Sequence, residues 1–125
     1  MPCFIIADLK ISVSFYVNKL GFDVQYIGPD ENPYWAIVGR DNISIFLKAV
    51  APDIKAIPNH TRHEWAPTDA YISAADPDTL YKEYRSHDVK FRKPLRVNDD
   101  NLRGFEIEDT DGYVLFFGRP EYENQ

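Results

Sequence analysis

The stretch Phe105-Glu-Ile-Glu-Asp109-Thr-Asp-Gly112-Tyr-Val-Leu-Phe-Phe117 reads as two runs rich in β-branched and aromatic residues on either side of a polar turn. Asp-Thr-Asp-Gly carries the side chains that bond their own backbone and the glycine that accepts positive φ, so the segment is a hairpin. An offset of 70 residues aligns Tyr113–Phe117 with Ile43–Leu47, which itself follows Tyr34–Arg40 across the tight turn Asp41-Asn42. Further upstream, Asp8 and Asp76 stand 68 residues apart, and each follows a short apolar run and precedes a helical pattern. Asp8 caps a helix whose apolar stripe is Leu9, Val13, Tyr16 and Leu20, stopped by Gly21. Asp76 caps a second with Pro77 at its first position, the stripe Leu80, Tyr81 and Tyr84, and an end near His87.

The order is therefore strand, helix and three strands, twice over. The first copy has strands at 3–7, 22–27, 34–40 and 43–48, and the second at 70–74, from 89, at 103–108 and at 113–118. The chain reads as one α+β domain over 1–125: a βαβββ module at 1–48, a linker at 49–68 punctuated by Pro52, Pro58 and Pro67, and a second module at 69–118. A four-stranded sheet with one helix cannot cover both its faces, so the halves share a core, within one chain or across two.

Composition excludes several classes of function. The 125 residues are 44% apolar and 27% charged, a globular mixture. The apolar run Cys3–Ala7 is far shorter than the ~20 residues a membrane helix needs. Fourteen Lys and Arg against 20 Asp and Glu disfavour a nucleic-acid partner. The net charge of −6 resides in residues 98–125, with eight acidic and two basic side chains. That acidic end either draws cationic ligands or keeps the protein solvated. A single cysteine, Cys3, fits a reducing compartment, and the protein is read as cytoplasmic.

Hairpin registers assign faces. A two-residue turn at Asp41-Asn42 pairs Arg40 with Ile43 and Ile37 with Phe46. Ala36, Val38, Ile45 and Leu47 then lie under the first helix, and Trp35, Ile37, Gly39, Ser44, Phe46 and Lys48 line the other face, a mixture suited to a ligand groove. A four-residue turn over 109–112 pairs Glu108 with Tyr113 and Phe105 with Phe116. This places Phe105, Ile107, Val114 and Phe116 on one face, with Glu106, Glu108, Leu115 and Phe117 pointing away from the groove. The aromatics serve either a dry core or a groove lining.

Asp8-Leu9-Lys-Ile-Ser12-Val-Ser-Phe15-Tyr16, Leu20-Gly21-Phe22 and Phe105–Phe117, in the duplicated order, resemble the glyoxalase/bleomycin-resistance/dioxygenase superfamily, the vicinal oxygen chelate proteins. The branch most similar is that of the bleomycin-resistance proteins, from Tyr34-Trp35-Ala36, Asp76-Pro-Asp-Thr-Leu80-Tyr81 and Arg103-Gly-Phe105. The enzymes of the superfamily take two metal ligands, usually His or Glu, from the first and last strands of each half. Carried over, those positions fall near Met1, Phe46, Ala70 and Phe116, with Cys3 the candidate if the first position shifts by two. These residues do not supply the imidazole and carboxylate donors that a divalent ion requires. His60-Thr-Arg-His63-Glu64 lies in the linker, and His87 sits at a helix end where a cationic imidazole suits the dipole.

The resemblance implies that the two βαβββ modules of this α+β chain form a curved mixed β-sheet groove, and that the protein is a metal-free binding protein with no cofactor and no catalytic residue. It holds a drug or aromatic metabolite in a groove at the interface of a homodimer. Trp35, Phe46, Phe105 and Phe116 are the stacking candidates, the linker with Trp65 forms part of the groove wall or its lid, and Lys48 and Arg103 either orient an anionic or carbonyl group or are ordinary strand-end charges. The alternatives are a metal-dependent lyase or dioxygenase on the same fold, and an interaction module whose groove takes a partner segment.

Overall fold

The computed structural model describes residues 1–50, 54–62 and 66–121. The elements run β1 (Cys3–Ile5), α1 (Leu9–Ser14, continued by a wider π turn over Phe15–Lys19), β2 (Asp23–Gly28), β3 (Trp35–Arg40) and β4 (Ile43–Lys48). The second set is β5 (Ala70–Ser73), α2 (Pro77–Ser86), β6 (Phe91–Val97), β7 (Leu102–Glu108) and β8 (Val114–Pro120). They form two four-stranded sheets of equivalent order, β1-β4-β3-β2 and β5-β8-β7-β6, the first pair in each parallel and the others antiparallel.

Local chemistry accounts for the element ends. The Asp8 carboxylate accepts the Ile11 amide at 3.0 Å, and Asp76 accepts the Thr79 amide at 3.1 Å and its hydroxyl at 2.7 Å. Gly21, at φ 72°, ends the first helical segment. The first hairpin pairs Arg40 with Ile43, Val38 with Ile45 and Ile37 with Phe46, as the Asp41-Asn42 turn requires.

The second hairpin differs from the sequence reading by one residue. Asp109 itself pairs with Tyr113, its amide donating to the Tyr113 carbonyl at 2.9 Å, and its Oδ1 accepts from the amides of Asp111 and Tyr113, both at 2.9 Å. The loop is thus three residues long, not four. Glu108 now faces Val114, Glu106 faces Phe116, and Phe105 faces Phe117. Because strand side chains alternate, that single step moves Phe116 to the face of Glu106 and Glu108, and Phe117 to the face of Phe105.

The core lies between the helices and the sheet faces they cover, and it spans both modules. Tyr16, Leu20, Ile45, Leu47, Tyr84, Ile107 and Leu115 are fully buried within one cluster. Phe105, Tyr84 and Phe117 pack ring against ring, Phe105 and Phe117 stacked at 5.5 Å. Polar groups knit the modules together. Tyr16 Oη donates to Asp109 Oδ2 at 2.7 Å, Tyr84 Oη to the Leu20 carbonyl at 2.9 Å, and Tyr113 Oη to the Ile5 carbonyl at 2.7 Å. His87 joins this junction as well, with Nδ1 2.9 Å from the Lys19 carbonyl while Lys19 Nζ reaches the His87 carbonyl at 2.8 Å. The histidine thus binds one module to the other through its ring.

Candidate functional site

The sheet faces turned away from the helices carry the candidate site. On the first, β3 and β4 set Trp35 opposite Lys48 and Ile37 opposite Phe46. The Trp35 and Phe46 rings stack at 5.6 Å with 22° between their planes. Gly28 leaves room for the indole, since a Cβ there would stand 2.6 Å from Trp35 Cζ2. Ser44 donates to Gln25 Oε1 at 2.8 Å beside this platform. Lys48 is half-buried at its edge and forms no ion pair among the described residues.

The equivalent face of the second sheet holds Tyr71, Phe116, Glu106 and Glu108. Phe116 lies across Gly104 and Gly118, where a side chain at either glycine would strike its ring. Tyr71 is 64% exposed and tilts against Phe116 at 5.5 Å. A shallow concavity of about 170 Å³ opens beside them, lined also by Leu102 and Pro120. Glu108 accepts from Lys90 Nζ at 2.8 Å, and Arg92 stands 3.6 Å from both Glu106 and Glu108. The Lys90 ammonium holds the Glu108 carboxyl below the usual carboxylate range.

Two of the sequence-derived candidates fall on the wrong side of the sheet. Phe105 is 1% exposed, beneath α2 among Tyr81, Tyr84 and Phe117. Arg103 shares that side and makes a two-pronged contact with Asp78 of α2, at 2.8 Å from Nε and 2.7 Å from Nη2. The cause in both cases is the one-residue change in the β7–β8 register, which also returns Glu106 and Glu108 to the groove face. Trp35, Phe46 and Lys48 are brought together, Phe116 belongs to the second face, and Trp65, with His63 and Glu64, lies outside the described residues. Tyr71 and Glu106 were missed. The 68-residue offset already made Tyr71 the counterpart of Cys3, and the correct turn length would have revealed Glu106.

The same registers revise the positions at which a metal would be held. Cys3 pairs with Phe46 and Tyr71 with Phe116, in place of the expected Met1 and Ala70; Ala70 is buried in the core. Two phenylalanine rings, a phenol and one thiol do not fit a divalent ion that takes imidazole and carboxylate ligands. Among the described residues, no group of three or more His, Cys, Asp or Glu side chains is placed to hold a metal.

Comparison with known proteins agrees with this architecture. The model of the Glyoxalase/Bleomycin resistance protein/Dioxygenase superfamily matches residues 3–117, and the chain belongs to that superfamily. Similar solved structures include TioX from Micromonospora sp. ML1 (16% identity, 94% of each chain, TM-score 0.72). TnmS3, an antibiotic binding protein from Streptomyces sp. CB03234, is 20% identical over 95% of this chain and 92% of its own, with a TM-score of 0.71. The bleomycin-binding protein of Streptomyces verticillus, solved with copper(II)-bleomycin, is 22% identical over 98% of this chain and 93% of its own, with a TM-score of 0.67. At these identities the likeness establishes the fold. No curated protein sequence matches the chain. None of the described helices is long and apolar enough to cross a membrane.

Proposed function

We propose that this protein is a metal-free, cytoplasmic homodimer of the bleomycin-resistance type that sequesters a planar drug or aromatic metabolite. The stacked Trp35–Phe46 pair, half-buried on the sheet face turned away from α1, is the observation that carries this reading. Half-buried aromatic side chains on a sheet face are ready to stack on a flat ligand, each contact worth about 0.5–1.5 kcal/mol beyond its buried area. The groove joins the Trp35, Phe46 and Lys48 face of one protomer to the Tyr71 and Phe116 face of its partner. The exposure of Tyr71 supports such a closure. The antibiotic-binding structures of the same fold support a binding role, and hydrocarbon at Phe46 and Phe116 argues against chemistry at a metal. Arg103 and Phe105 take no part in the groove.

Titration of a Trp65→Phe variant, in which Trp35 is the remaining fluorophore, against bleomycin-like drugs and aromatic metabolites tests the proposal. Saturable quenching by at least one such compound, with a dimer in sedimentation equilibrium, is expected. Stoichiometric divalent metal in the purified protein, together with turnover of a hemithioacetal or a catechol, would overturn it.

A further inference from the structure

On the second concave face, Glu106 sits between the Phe116 ring of β8 and the basic edge strand β6. The residue is 8% exposed, its Oε1 is shielded from solvent, and that oxygen accepts no hydrogen bond among the described residues. A carboxylate withdrawn from water ordinarily gathers donors, because an unmade hydrogen bond to a buried charge is costly. Buried Asp109 and half-buried Asp69 follow that rule. Asp109 accepts from Tyr16, Asp111 and Tyr113, and Asp69 accepts from the Asn59 and Val114 amides.

The neighbouring cations do not make up the deficit. Lys90 is committed to Glu108 at 2.8 Å. Arg92 stands 3.6 Å from Glu106 Oε1 and 3.6 Å from Glu108 Oε1, a position midway between two acids and outside hydrogen-bond reach of either. Glu108 therefore has a cation within hydrogen-bond distance, whereas Glu106 has only the longer ion pair to Arg92. The acceptor lies beside Phe116, whose far side meets the Tyr71 ring, and these two rings form the stacking surface of this half-groove.

We infer that Glu106 is the acceptor that orients the ligand, taking a hydrogen bond from a protonated or N–H-bearing nitrogen attached to an aromatic system stacked on Phe116 and Tyr71. The ligand class is thereby narrowed to planar aromatics that carry an amino or amidinium group. An amine supplies both the missing donor and the charge that Arg92 compensates only loosely, and Arg92 remains with Glu108 when the ligand enters. This assignment rests on the groove reading above.

Proflavine, a planar cation with amino donors, and acridine, its uncharged parent in slightly alkaline buffer, form a matched pair of probes. The full-length dimer is expected to bind proflavine about tenfold more tightly than acridine, the increment of one charge-assisted hydrogen bond. Glu106→Gln should reduce that preference to about twofold or less, and Asp88→Asn, which removes an exposed charge at the end of α2 on the helix side, should retain it. Arg92→Gln provides an arm in the opposite direction: with the competing cation gone, proflavine binds more tightly relative to acridine. Equal affinity for the two dyes in the wild type, a preference that survives Glu106→Gln, or an Arg92→Gln variant that loses the preference would each overturn the assignment of Glu106 and leave the groove standing. Failure of both dyes to bind would remove the groove reading, and this inference with it.

Discussion

Replacing Asp109 with asparagine is expected to stabilise the protein at neutral pH, although Asp109 makes three hydrogen bonds. Burial pushes its carboxyl up to about 6, against the bonds from Tyr16 and the Tyr113 and Asp111 amides, which pull the other way, and with the nearby Asp111 adding to the rise. Compared with an ordinary aspartate near ~3.9, ionising this group inside the fold costs about 3 kcal/mol, at ~1.4 kcal/mol per tenfold in acidity. The sign follows from proton counting. From about pH 4 to about pH 6 the native state holds a proton that the unfolded chain has released, so the contribution of Asp109 to stability is present at the acid end and is lost as the pH rises through 6. Asp111, itself raised chiefly by burial, acts in the same direction.

Asparagine keeps an oxygen for the Asp111 and Tyr113 amides and turns its NH₂ toward Tyr16 Oη, which then accepts, so the variant imitates the protonated acid. Urea unfolding of both proteins across the pH range, followed by far-ultraviolet circular dichroism, measures the difference. Asp109→Asn should match the wild type near pH 4 and exceed it by about 1–3 kcal/mol above pH 7. A difference that does not vary with pH, or a variant less stable by a fixed amount throughout, would show that Asp109 ionises in the fold as it does in water and would refute the reasoning.

The remaining predictions concern the corrected faces. Phe105→Ala removes a ring packed among Tyr81, Tyr84 and Phe117 and should cost about 3–5 kcal/mol in urea unfolding. Arg103→Leu should lower the urea midpoint slightly while leaving dye affinity unchanged, because its guanidinium is engaged with Asp78 on the helix side; a large loss of binding would restore Arg103 to the groove. Gly104→Ala should both destabilise the fold and weaken binding, since the added methyl collides with the Phe117 carbonyl and the Phe116 ring. Below about pH 4, where the Asp109 contribution is complete, the wild type should lose stability as Glu83 and Asp78, held down by Arg40 and Arg103, take up protons; acid titration by circular dichroism checks this.

How much of the site was readable from sequence depends on the range of the interaction that places each residue. The first concave face was legible because Asp41-Asn42 closes a two-residue turn, and that fixes every pair from Arg40–Ile43 to Trp35–Lys48. The second was misassigned because Asp109-Thr-Asp-Gly112 is compatible with closure by three residues or by four. The choice is made by the Asp109 side chain, which binds two amides of its own turn and the hydroxyl of Tyr16, 93 residues away. The helix caps, by contrast, are contacts within three residues, and each was read correctly.

What the sequence by itself determined was the repeated βαβββ order, the helix boundaries and the inward stripe of each helix, all governed by periodicity and contacts a few residues apart. Only the tertiary structure decided that Phe105 and Arg103 belong to the helix side, that Glu106 lies beside Phe116 with only the longer ion pair to Arg92, and that Cys3 and Tyr71 occupy the positions opposite Phe46 and Phe116. These are matters of strand register across distant segments, where a one-residue step costs little locally but reverses every side chain, and the packing of the two modules on each other selects between the alternatives.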